Sequence, residues 1–188
     1  MAASTAIGST PVWRLLRMVI WGGAGLLLLF PLIAMQFTPE VQWTPSDFAV
    51  MGVLLGLVCG AFEVALRAAR SHLYMVAAGV AAATAFLMTW VNLAVGIVGN
   101  ENNSANLIFF GVVAIAMIGA ALARLESLGM ARAMAATASA QVATSAIAFA
   151  SGEGRGAMLI GVFVAMWLMS AELFRKASQQ EARACGAR

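Results

Sequence analysis

Between Asn92 and Asn106 the chain collects five asparagines (Asn92, Asn100, Asn102, Asn103 and Asn106) and one carboxylate, Glu101, around a short apolar run that holds Gly96 and Gly99. Amide and carboxylate oxygens are the ligands a hard cation takes. A chain that turns back on itself here would bring them together as an outward-facing polar or ion site. Channels and carriers also use re-entrant, glycine-containing segments, protected inside a helical bundle, to place backbone carbonyls at depth. The same residues also read as a polar loop in which Asn106 caps the helix that follows. No Asp-x-Asp calcium spacing is present, and that favours the loop.

Four further polar side chains interrupt apolar runs. Glu63 lies four residues before Arg67, and Glu172 lies three and four residues before Arg175 and Lys176, the favourable orientation for an ion pair along a helix. A carboxylate at the bilayer centre costs about 2.5–3.5 kcal/mol on insertion scales and is a candidate proton or ion relay. Both glutamates, however, lie within about two turns of the end of their run, where pairing and snorkelling are cheap, so structural ion pairs are the favoured reading. Thr137 and Gln141 share a helical face with Thr144 and Ser145. Either that face lines a polar cavity, or it is buried, with hydroxyls bonded to their own helix and Gln141 bridging to a neighbour. Gly52, Gly56 and Gly60 recur every four residues, a face on which another helix backbone can approach closely.

Other chemistry is missing. The single histidine, His72, excludes paired-histidine haem ligation, a serine–histidine dyad and His-Glu-x-x-His zinc chemistry, and the single aspartate, Asp47, excludes a catalytic aspartate pair. Cys59 and Cys185 are far apart and lack a partner motif, so neither a disulfide nor a zinc site is expected. The run Gly152-Glu153-Gly154-Arg155-Gly156 has no Lys-Ser/Thr after it and reads as a tight turn, not a phosphate loop. No catalytic residue, metal or cofactor is expected, and the chain is not read as an enzyme.

The elements that must hold these residues follow from composition. With 62% hydrophobic and 10% charged residues in 188, and a mean hydropathy of +0.91, the chain cannot hide its apolar surface in one soluble core. It reads as a single all-α integral membrane domain whose partner is the lipid bilayer. The basic residues sit at the ends of apolar runs and not on a common face, so nucleic acid is not expected.

Six transmembrane helices are expected, at about 13–36, 47–69, 73–98, 107–123, 133–150 and 157–174. Arg14 and Arg17 precede the first, and no small-x-small cleavage pattern follows it, so it reads as an uncleaved span with Pro31 near its outer end. Thr44, Pro45 and Asp47 form a helix start for the second. The third, if unbroken, would be about 39 Å long against a hydrocarbon core of about 30 Å. Trp90 sits where an interfacial aromatic belongs, so the segment 91–99 is expected to tilt, kink or lie along the interface. The fifth is the least hydropathic and is kept because of charge parity. With both termini cytoplasmic, Arg14, Arg17, Arg67, Arg70, Arg124, Arg132, Arg175, Lys176, Arg183 and Arg188 all lie inside and only Arg155 lies outside.

Ala34-Met35-Gln36-Phe37-Thr38-Pro39-Glu40-Val41, Trp43-Thr44-Pro45-Ser46-Asp47-Phe48, the run Trp90 to Gly99, and Gly129-Met130-Ala131-Arg132-Ala133 together resemble a family of small, uncharacterised, multi-pass bacterial inner-membrane proteins. The resemblance implies a setting and no reaction. Where members of that family often carry proline after the asparagines, this chain has Ser104. Two functions are weighed: a non-catalytic accessory or structural protein that packs on a membrane-protein partner or a second copy through the glycine face, and a small carrier or channel-like protein with its outer polar site at Asn92 to Asn106. The first is favoured, because no charge sits at the centre of a span to couple transport to an ion.

Overall fold

The computed structural model describes residues 11–98, 103–150 and 157–186, and every regular element among them is helical. Six long helices follow in order: α1 (Pro11–Ala34), α2 (Pro45–Ala68), α3 (His72–Ala94), α4 (Leu107–Leu122), α5 (Ser127–Ala150) and α6 (Ala157–Gly186). A 3-10 turn over Ser104–Asn106 leads into α4. The expected all-α class is therefore observed.

Among the described residues five helical runs are long and apolar enough to cross a membrane, namely α1, α2, α3, the 3-10 turn together with α4, and α5, which is the least hydropathic of them. Their outer faces carry large exposed apolar side chains, among them Leu26, Phe30, Met117 and Leu122, with Phe30 72% exposed. Apolar surface of that extent is suited to acyl chains rather than to water. Several boundaries differ from expectation. Helix α3 stops at Ala94 and not near Val98, and α5 begins at Ser127 instead of near Ala133. Helix α6 runs on past the expected span, through Arg175 and Lys176 to Gly186, giving 30 residues, or about 45 Å.

The chain divides into two compact units, Met1–Arg67 and Ala68–Arg188. In the first, α2 opens with a reciprocal cap of the kind the sequence announces. The Thr44 backbone N–H donates to Asp47 Oδ2 at 2.7 Å, the Thr44 hydroxyl donates to the same oxygen at 2.7 Å, and the Asp47 N–H reaches Thr44 Oγ1 at 3.4 Å. Helix α1 passes through Pro31 without interruption. It is tied to α2 by an ion pair, Arg17 Nε to Glu63 Oε1 at 2.9 Å. Nearer the other end of the pair, Leu28 lies close to Gly52.

In the second unit α6 packs along both α5 and α3, and α4 packs along α5. Two contacts set α6 antiparallel to α3: the rings of Tyr74 and Phe174 meet edge-on with centroids 5.0 Å apart, and the Ser170 hydroxyl donates to the Ala77 carbonyl at 2.9 Å. The Ser127 hydroxyl, donating to Glu181 Oε1 at 2.7 Å, sets the register of α5 against α6. Helices α4 and α5 approach so closely that a Cβ on Gly119 would stand 2.8 Å from the Ala133 Cβ. The turn between them holds Arg124 and Leu125 at φ 50° and 59°, a left-handed conformation that L-residues adopt only at a cost. The Tyr74 hydroxyl donates to the Leu125 carbonyl at 2.8 Å and so braces that turn from α3.

Candidate functional site

Helix α3 continues one turn past Trp90 and ends at Ala94, with Val95 as its C-cap. Gly96 then takes φ 74°, a conformation open to glycine, and the chain reverses. The two apolar residues that follow decide where it goes. Ile97 and Val98 are buried in one cluster with Met88, Phe109, Val112, Ala148 and Phe163. The segment after Trp90 therefore finishes one more turn of helix and then, through Ile97 and Val98, folds into the core.

Burying Ile97 and Val98 also buries their backbone N–H groups, which must then find acceptors. Asn106 supplies both: its Oδ1 accepts from Ile97 N at 3.0 Å and from Val98 N at 2.9 Å, while its Nδ2 donates to the Val98 carbonyl at 3.2 Å. Asn92, two residues before the end of α3, donates through Nδ2 to the Asn106 carbonyl at 2.9 Å. The expectation that Asn106 caps α4 is corrected here, since its side chain makes no capping bond. Its amide is committed to the returning strand of the loop. Asn103 takes the local role instead, its Oδ1 accepting from Ala105 N at 2.9 Å at the start of the 3-10 turn. Asn100, Glu101 and Asn102 lie outside the described residues.

Glu63 pairs with Arg17 of α1 rather than with Arg67 of its own helix. Glu172 pairs as the spacing implies, with Arg175 through two bonds of 2.8 and 2.9 Å and with Lys176 at 3.9 Å. On α5, Thr137, Ser139 and Thr144 donate back to the carbonyls of Ala133, Ala135 and Ala140. Gln141 does not bridge to a neighbour: its side chain is fully buried, and neither its Oε1 nor its Nε2 has a partner. Gly56 and Gly60 are open, with nothing within 4 Å of a Cβ built on either.

Sequence reasoning missed three features. Trp167 of α6 is buried with its indole N–H unpartnered. Ser170 and Tyr74 carry the interhelical bonds described above. Arg70, Ser71, Gln180, Glu181, Ala184 and Cys185 line an open depression of about 470 Å³ beside the start of α3. Within that depression Glu181 is held by Ser127 and Ser71 caps α3 through Tyr74 N, so these two polar groups serve the fold. None of these features is legible in one sequence, because each depends on which helices become neighbours. Among the described residues no three His, Cys, Asp or Glu side chains converge as metal ligands. No protein-family model matches the chain, and comparison with curated proteins and with solved structures finds no match.

Proposed function

We propose that the chain is a six-span protein of a bacterial inner membrane, with both termini cytoplasmic, that serves a non-catalytic accessory role by seating a transmembrane helix of a partner membrane protein on the Gly52-Gly56-Gly60 face of α2. The observation that carries this reading is the use the fold makes of its asparagines. The carrier alternative needs the amide oxygens of Asn92 and Asn106 as ligands, yet both residues are buried, the Asn106 oxygen is taken by the Ile97 and Val98 N–H groups and the Asn92 nitrogen is held by the Asn106 carbonyl, which leaves only the Asn92 Oδ1 without a partner. On the glycine face, by contrast, Gly56 and Gly60 are left open and only Leu28 of α1 reaches Gly52, and small-residue faces are where membrane helices approach one another closely. The sixth crossing rests on the apolar run of α6 and on the placement of the arginines.

The test compares two variants in native membranes and in liposomes. Gly56→Leu is expected to insert and fold but to lose a co-purifying membrane protein in mild detergent. Wild-type liposomes are expected to pass none of a panel of small ions and neutral solutes. Flux of any one of them, abolished by Asn92→Ala, would replace the accessory reading with the carrier. Reporter fusions after Arg70, Arg124 and Arg183 should all report the cytoplasm.

A further inference from the structure

The orphaned groups of α5 and α6 belong together. The bond from Ser127 to Glu181 fixes the antiparallel register of the two helices. Fourteen residues beyond it on each helix stand Gln141 and Trp167, the same distance along the pair. Both side chains are buried, Gln141 at 0% exposure and Trp167 at 1%. The amide oxygen and nitrogen of one and the indole N–H of the other have no partner in the protein.

Helix α3 packs on α6 at the same level, and α4 packs on α5. The bond from Ser170 to Ala77 sets its register, and three residues along α3 from Ala77, against three back along α6 to Trp167, lies Val80. The residues that follow, Ala81 and Ala82, are small and partly buried, and on α5 Ala138 is buried one turn from Gln141. The neighbouring hydroxyls are already committed, Thr84 to the Val80 carbonyl at 2.7 Å and Thr137 to the Ala133 carbonyl at 2.9 Å. At this level α3 thus offers only the apolar Val80, Ala81 and Ala82, and two N–H-bearing groups and one amide oxygen on α5 and α6 stay unanswered. Buried polar groups of this kind are almost always satisfied, by protein or by ordered water, and a water needs two to four polar partners to stay.

We propose that the interior between α5 and α6 contains a water-binding site, in which one ordered water accepts from the Trp167 indole N–H and donates to the Gln141 amide oxygen. The site joins α5 to α6 at mid-helix, where no other polar bond links them among the described residues. It is independent of the accessory role proposed above and holds whether or not the protein transports anything.

The experiment uses the full-length, 15N-labelled protein in lipid bilayers and water-edited solid-state NMR, with the indole signal assigned by Trp167→Phe. The expected result is transfer from water to the Trp167 indole N–H and to the Gln141 side-chain amide that builds up several-fold faster than transfer to the backbone amides of Ala138 and Ala177. In Gln141→Met, which keeps the volume and removes the amide, the transfer to Trp167 should fall to the level of those backbone amides. Slow transfer at Trp167 in the wild type would overturn the proposal, and a displaced indole shift without water transfer would assign a direct bond between Gln141 and Trp167 in its place. The wild-type measurement alone decides between these outcomes, so a failure of Gln141→Met to fold leaves the test intact.

Discussion

The Asn92 side-chain amide donates to the backbone carbonyl of Asn106 across fourteen residues, at 2.9 Å, and so closes the loop between α3 and α4 from below. The Asn106 side chain closes it from within, by answering the N–H groups of Ile97 and Val98. The two residues form one device whose job is to let an apolar segment leave a helix and still be buried. A polar cluster that resembles a ligand set is, in this pair, the hydrogen-bond accounting of a buried turn.

Replacing Asn106 by alanine should therefore be among the most destabilising single changes in the chain. It leaves two buried N–H groups unpartnered, at about 1–3 kcal/mol for each group so stranded. Thermal unfolding in detergent should show a drop of several degrees, whereas Asn103→Ala, which removes one partly buried local bond, should lower the midpoint far less.

The glycines of α2 and α4 should respond in opposite ways. Leucine at Gly119 has no room against Ala133 and is expected to cost about 1–3 kcal/mol or to separate α4 from α5. Alanine at Gly56 meets nothing within 4 Å and should be neutral or stabilising, by up to about 1 kcal/mol of helix propensity. Paired unfolding curves of the two variants check this directly.

Relief of strain is predicted at the turn between α4 and α5. Arg124 is exposed and sits at φ 50°, so Arg124→Gly should raise stability by about 1 kcal/mol by removing the left-handed penalty. Tyr74→Phe should act in the other direction, since the Leu125 carbonyl loses its donor; about 1 kcal/mol is expected for that single bond.

The two carboxylates should differ as their surroundings do. Glu172 and its partners are well exposed, and Glu172→Gln should leave the unfolding midpoint unchanged within error, as exposed pairs commonly do. Glu63 is less exposed and holds α1 to α2 through Arg17. Glu63→Gln should lower the midpoint, and the exchange Arg17→Glu with Glu63→Arg should recover part of the loss; equal effects at both glutamates would contradict this assignment.

How far the chain could be read in advance depended on the range of the interaction involved. The cap of α2 was legible because Thr44, Pro45 and Asp47 act within four residues, and the Glu172 pairs because they lie one turn apart on one helix. The same local rule points Glu63 to Arg67, whereas it pairs with Arg17, since a helix offers partners on its own face while a hairpin brings others closer. The sequence likewise marked 91–99 as anomalous from the excess length of the third run, but not how the anomaly is resolved. That required Phe109, Val112, Ala148 and Phe163 to be present as a core that Ile97 and Val98 could enter.

By itself, the sequence determined that this is an all-helical chain built for a bilayer, because apolar composition and the length of each run follow from residue type alone. The tertiary structure decided which polar groups are spent and which are left over. Asn106 is consumed by the returning backbone of its own loop, and Gln141 is left buried without a partner. Both outcomes depend on helix register, which is set by packing and interhelical bonds between residues remote in the chain.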